Sequence, residues 1–376
     1  MPQLSALNPI STRALRKCLG WLVGGALALV IGSPAWASDT FEPVFADRSA
    51  SYLLVFAYPS AAWLDWSSPS NLSRTSVQST VVKRLFSLPS TIGHAQIAWS
   101  CRGDDGRLLS RGAAGQSGEN NGQSLTALRA GWGMSILELV FTDGVFESQA
   151  DVADRIRNGA AKNQFSWAGF KVSSDQCMQM VDFVETYYQR KAYVNYGFPV
   201  EPLNYEGGGC TSFANAALER SGAPLPFRDA WVRSYQIPED QMGRGPELPV
   251  YSTIVPKARI PERPLQVGLG DFLFGEQNWA GSDDKSISFR YYDPELFYES
   301  FLHLENAYRQ QQGMPLKSAV RTAELDNFQI QLKQQTDTWM QQLQQQNTPI
   351  ELGSILGYSG AVIDLRGLNS ESARPE

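Results

Sequence analysis

Tyr205-Glu206-Gly207-Gly208-Gly209-Cys210-Thr211-Ser212-Phe213 brings a single cysteine through a run of glycines into the head of a helix. The residues that follow keep a helical spacing: Cys210, Phe213, Ala214, Ala217 and Leu218 fall at i, i+3, i+4, i+7 and i+8. Arg220 sits in the last turn, Gly222 ends the helix and Pro224 lies just beyond. A thiol at a helix N-terminus is biased toward chemistry. The unpaired N–H groups and positive dipole end of the first turn stabilise a thiolate, and they can hold the oxyanion that forms when it attacks a carbonyl. The plain alternative is a buried structural cysteine, and this stretch alone does not separate the two readings.

The compartment adds information. Residues 1 to 37 read as a secretory signal, with Arg13, Arg16 and Lys17 as a basic start, an apolar core from Cys18 to Ile31, and Ala35-Trp36-Ala37 as the cleavage site. The apolar core is too short to span a bilayer as a helix, and no later segment offers a long apolar run. The expectation is a periplasmic or secreted chain beginning at Ser38, with no membrane span. Removing three basic residues and no acid takes the formal charge from −6 to −9, which argues against a nucleic-acid partner or an anionic lipid surface. With 43% hydrophobic residues and ten tryptophans, the chain can build a sizeable core.

Cys101, Cys177 and Cys210 remain after cleavage, an odd number that leaves at least one thiol unpaired or paired between chains. Alternation over Ile92 to Cys101 places His94, Gln96, Ala98 and Ser100 on one strand face and Ala95, Ile97, Trp99 and Cys101 on the other, apolar one. A helix over Ser174 to Arg190, capped by Ser174, has Cys177, Met180, Val181, Val184 and Tyr188 as its apolar stripe. Cys101 and Cys177 therefore either bridge or pack as two thiols, and Cys210 is the reactive one. A cysteine nucleophile needs a base, and the chain has two histidines. His303 belongs to a helix after Pro294, where a polar surface tip is its expected role. His94 follows Gly93 at the opening of a strand, with room beside it for a helix-borne thiol. The candidate catalytic pair is Cys210 and His94.

These residues carry a resemblance. Tyr205 to Phe213, then Ala217, Gly222 and Pro224-Leu225-Pro226, resembles the nucleophile segment of the NlpC-type papain-like cysteine peptidases: a tyrosine, glycines, a Cys-small-small-aromatic helix start and a Gly-x-x-Leu-Pro exit. In ordinary members the histidine follows the cysteine on a strand. Here His94 precedes Cys210, the order of the circularly permuted relatives that include the lecithin:retinol acyltransferase-like proteins. The likeness covers about residues 90 to 230. It implies an α+β fold, a permuted papain-like core whose antiparallel sheet packs on the nucleophile helix, and a Cys-His dyad acting on an amide or ester bond. Cell-wall peptide leads lipid acyl chains as the implied substrate. The family's third polar residue, which orients the imidazole from the strand after the histidine, falls on Ser110 or Gln116. Its oxyanion-assisting tyrosine falls on Tyr205, which could equally pack under the glycine turn.

Along the rest of the chain, strands are expected at Tyr52 to Tyr58, Val81 to Phe86, Ile92 to Ser100, Arg107 to Arg111 and Ser135 to Thr142, with a helix over Gln149 to Ala161. Gly112 to Gly122 reads as a small polar loop. Pro226 to Val267 reads as an extended lobe in which Trp231 and Tyr235 pack a loop or line a groove. The core closes near Asp271 to Phe274, which gives a signal over 1–37, a papain-like hydrolase domain over 38–294 and a glutamine-rich helical extension over 295–376. In that extension Leu325, Phe328, Leu332, Trp339 and Leu343 form a ragged apolar stripe. No phosphate loop, CxxC pair or metal-spaced cluster appears, so no cofactor and no metal are expected. Two functions fit: an exported thiol hydrolase or acyltransferase, and a non-catalytic envelope binding protein on the same scaffold.

Overall fold

Tyr52, Leu54, Phe56 and Tyr58 alternate with Leu53, Val55 and Ala57, so a strand built from them is apolar on both faces and must be covered on both. The computed structural model describes residues 40–42, 44–118, 122–243, 251–252, 266–275, 278–281, 284–319 and 325–368; the expected signal lies outside them. That strand, β1 (Ser51–Ser60), is buried along its whole length. Helix α1 (Pro69–Phe86), strands β2 (Ile92–Arg102) and β3 (Leu108–Gly118) and helix α2 (Gly122–Arg129) follow. The short strands β4 (Val140–Phe141) and β5 (Gly144–Glu147) come next, then helix α3 (Gln149–Lys162), strand β6 (Ser166–Val172), and helices α4 (Ser174–Gln189) and α5 (Cys210–Arg220). The remainder holds β7 (Val232–Pro238), β8 (Tyr251–Ser252), α6 (Leu269–Phe274), β9 (Ser286–Tyr292), α7 (Pro294–Gln311), α8 (Asn327–Gln345), β10 (Ile350–Ile355) and β11 (Tyr358–Asp364).

The fold is α+β. Seven strands form one sheet in the order β10-β11-β6-β1-β2-β3-β5, in which β11 runs parallel to β6 and every other pair is antiparallel. Leu53, Val55, Ala95, Ile97 and Phe170 face helices α4, α5, α7 and α8 in the larger core. Tyr52, Leu54, Phe56, Ala98 and Trp167 face Val152 and Ile156 of α3 and the segment around Phe41 and Phe45. A small separate sheet pairs β7 with β9.

Several expectations are corrected. Val81 to Phe86 is the end of α1, because Ser68 caps that helix, Pro69 occupies its first turn and Ser87 closes it in a left-handed conformation. The cap outweighs the β-branched pair Val81-Val82. Gly112 to Gly118 is strand, paired with β2 and then β5. Ser135 to Thr142 is a 3-10 turn, Met134–Glu138, followed by β4. Ser173, with Gln176, caps α4 in place of Ser174, and Tyr187 is buried where Tyr188 is exposed.

The C-terminal residues are no extension. Helix α7 packs over β1 and β6, α8 packs on α7, and the β10-β11 hairpin completes the sheet, so the sheet is mixed and no boundary falls at residue 294 or near Phe274. Trp231 is fully buried and donates its indole N–H to Ser300 Oγ at 3.0 Å, while Tyr235 stacks between Trp66 and Trp279. His303 is half-buried on α7 with its pKa pushed down by burial and by Lys333.

Cys101 on β2 and Cys177 on α4 form a disulfide with Cα atoms 5.5 Å apart, and Cys210 is the free cysteine among the described residues. The bridge ties the strand that carries His94 to a helix packed against α5. Replacing both cysteines, Cys101→Ala with Cys177→Ala, is predicted to lower unfolding free energy by about 2–5 kcal/mol in urea titrations. An unchanged midpoint would show that the bridge contributes nothing to this core.

Candidate active site

Strand β2 stays paired with β1 as far as Ile92, but its pairing with β3 stops at Gln96 opposite Gly115. From there β3 turns to pair with β5, which sets Gly115 opposite Glu147. The edge of β2 beside His94 and Ala95 is thereby released by β3, and the N-terminus of α5 fits against it. The Cys210 sulfur accepts a hydrogen bond from the Ala95 N–H and meets the His94 imidazole and the Tyr196 hydroxyl. Thus Cys210 and His94, singled out on sequence grounds, are brought together.

Glu147 is the partner that the sequence did not reveal. Its Oε2 lies 2.8 Å from His94 Nε2 and accepts the Gln96 side-chain N–H at 2.7 Å. Its Oε1 is ion-paired with the Arg155 guanidinium, which also donates to the Pro89 carbonyl. Tyr58 donates its hydroxyl to Gln96 Oε1 at 3.0 Å, holding the amide in the orientation that gives its N–H to Glu147. With Nε2 taken by the carboxylate, Nδ1 is the nitrogen left for Cys210. Cys210, His94 and Glu147 are all buried, so none of their charges is screened by water.

Glycine makes the approach possible. A Cβ on Gly115 would collide with the Glu147 carboxylate and press on Gln96, so only glycine fits opposite that acid. Gly93 has φ +91° and gives way to Pro294 at the head of α7, not to the thiol as the sequence reading supposed.

The electrostatics shift both groups toward their ionised forms. Burial pushes the His94 pKa down, but the carboxylate of Glu147 and the adjacent sulfur outweigh it and the pKa is raised. Burial pushes the Cys210 thiol up, but His94 and the Ala95 N–H outweigh it and the thiol is lowered. Burial likewise opposes the charge on Glu147, yet His94, Arg155 and Gln96 hold its carboxyl far below the usual range. The Tyr196 phenol is pushed well above its ordinary value by burial and by the sulfur beside it, so it stays a proton donor.

The other sequence candidates lie elsewhere. Ser110 Oγ accepts the Trp99 indole N–H at 3.0 Å. Gln116 accepts from the Tyr187 hydroxyl at 2.7 Å and donates to the Tyr193 carbonyl at 2.9 Å, bracing the loop that leads to Tyr196. Tyr205 packs against Phe183 under Arg190 and does not face the sulfur. Its expected place beside the nucleophile is taken by Tyr196, nine residues earlier. The acid was hidden because β5 has four residues and reaches His94 only through β3. Its one sequence signal is Glu147 closing the otherwise apolar Val145-Phe146 pair, eight residues before Arg155.

A cavity of about 980 Å³ opens along the first turn of α5, bounded by Gly209, Thr211 and Ser212 on one side and by β9 on another. Among the described residues no group of three or more His, Cys, Asp or Glu side chains is placed to hold a metal ion, and no helix is long and apolar enough to cross a membrane. Comparison with known protein families, curated proteins and solved structures finds no match to this chain.

Glu147→Gln keeps the shape but leaves Arg155 and His94 without their counter-charge, and is predicted to lower stability by about 3–5 kcal/mol at neutral pH. Because the folded carboxyl titrates below its unfolded value of about 4.3, this advantage of the wild type is complete above that pH and shrinks as the pH falls below it. Parallel urea titrations across the acid range test both statements; a gap between the two proteins that does not change with pH would contradict them.

Proposed function

We propose that this chain is an exported thiol hydrolase or acyltransferase acting on an amide or ester bond through Cys210, His94 and Glu147. The observation that carries the reading is the chain of contacts from Glu147 through His94 to the helix-start sulfur. In this reading the Cys210 thiolate attacks the carbonyl carbon, forming a carbon–sulfur bond. The α5 N–H groups and the Tyr196 hydroxyl hold the oxyanion. His94, carrying the proton taken from Cys210, gives it to the departing amine or alcohol as the carbon–nitrogen or carbon–oxygen bond breaks. His94 then takes a proton from water or an acceptor amine, which attacks the thioester and returns Cys210 as thiolate. Glu147 orients the ring throughout and stabilises its cationic form.

The permuted papain-like assignment belongs to the same proposal. It is supported by the order of His94 before Cys210 and by the nucleophile segment described above. Export is supported by the signal pattern and by the Cys101–Cys177 bridge, a bond at home in an oxidising compartment. Peptide amides, including those of the cell wall, are the leading substrates.

Iodoacetamide labelling followed across pH tests the pair. Wild-type Cys210 is predicted to react well below the pH at which an ordinary thiol of pKa about 8.5 stops. His94→Ala removes the cation that favours the thiolate while burial persists, so its profile moves to higher pH. Cys210→Ala should cut turnover of any amide or ester substrate by at least about a thousandfold without loss of fold. Identical labelling profiles with and without His94 would sink the proposal.

A further inference from the structure

The cavity at Gly209, Thr211 and Ser212, around the start of α5, is bounded by every residue from 285 to 292, the whole of β9 and its neighbour. Such a run, with no alternation, means that the strand presents its edge. Phe289 and Tyr291 point into the core at 2% and 8% exposure, so they border the cavity through their backbone. The pairing with β7 tells which groups face outward. Asp293 donates its N–H to the Trp231 carbonyl, and Glu239 donates to the Lys285 carbonyl. In the register that sets Tyr292 opposite Val232, these bonds fix the odd-numbered residues of β9 as the hydrogen-bonded pairs. The N–H and C=O groups of Ser286, Ser288 and Arg290, and the N–H of Tyr292, therefore point away from β7. Among the described residues no strand pairs with that edge. The Tyr292 carbonyl accepts the hydroxyl of Thr211 at 2.6 Å, which fastens the C-terminal end of the edge to the residue next to Cys210.

The geometry points to β9 as a docking edge on which an extended peptide adds as a further strand, its reacting carbonyl delivered to Cys210 at the Tyr292 end. This deepens the proposed function and rests on Cys210 being the nucleophile. It selects polypeptide over lipid acyl chains, because a row of alternating donors and acceptors is satisfied by a peptide backbone and by nothing in an alkyl chain. From Ser288 to Tyr292 the edge spans about 13 Å at roughly 3.3 Å per residue, the reach of four substrate residues.

Two acyloxymethyl ketone probes sharing one warhead decide the matter: an acetyl-tetra-alanyl probe and an acetyl-alanyl probe, compared by their rate constants for labelling Cys210. The long probe is expected to react at least about tenfold faster. N-methylating its alternate amides in one phase should erase that advantage, and methylating the other phase should not. Ser288→Pro removes only an outward-facing donor, a substitution an edge strand accepts, and the long probe should lose its advantage in that variant too. Should that variant fail to fold, the methylated probes put the same question to the wild type. Equal rates for the long and short probes, or an advantage indifferent to methylation in both phases, would overturn the docking edge while leaving Cys210 a nucleophile. Failure of both probes to label Cys210 would instead remove the nucleophile, and the docking edge with it.

Discussion

A single buried carboxylate organises the polar cluster next to Cys210. Glu147 receives His94 and Gln96 on one oxygen and Arg155 on the other, so both oxygens are satisfied away from water. A buried carboxylate lacking such partners would take up a proton and could not polarise an imidazole. The surrounding design follows from keeping it ionised and in place. Gly115 clears its space, Tyr58 aims Gln96 at it, and Pro89 and α3 hold Arg155 against it. Moving the proton from Cys210 to His94 leaves the net charge of the four-group cluster at zero. The ionised pair can therefore exist in a dry site without an uncompensated charge.

The scaffold positions this cluster through two further features. The departure of β3 from β2 opens a stretch of backbone at Ala95, where the sulfur finds an N–H donor. The Cys101–Cys177 bridge and the packing of α4 on α5 then fix the helix that carries Cys210 relative to the strand that carries His94. Thr211, adjoining Cys210, is bonded to the end of β9, which ties the start of α5 to the strand that bounds the cavity.

Much of this was legible in local pattern. Cys210 announces itself through the glycine approach and helix period, and His94 through strand alternation, because both signals are carried by residues adjacent in sequence. Glu147 was not legible, since its role depends on the pairing of β3 with β5 and on a glycine whose purpose appears only once the acid lies opposite it. Tyr196 was missed for a related reason: Tyr205 is nearer the cysteine in sequence, but its left-handed backbone at φ +60° belongs to a turn that packs on Phe183 instead. In the C-terminal region the glutamine run dominated the reading and hid a hairpin. Leu356 and Gly357, with φ +52° and +84°, form the two-residue turn between strands that add to the central sheet. Val81 to Phe86 shows the opposite error, a β-branched run overruled by the cap at Ser68.

The central claim is that His94 and Cys210 face each other so that each favours the other's ionised form. Nitrogen-15 NMR of the His94 ring measures this directly in the folded protein. The account predicts a doubly protonated imidazole that persists above the pH at which an ordinary histidine, of pKa about 6.5, becomes neutral. A His94 ring found singly protonated across the neutral range would contradict it.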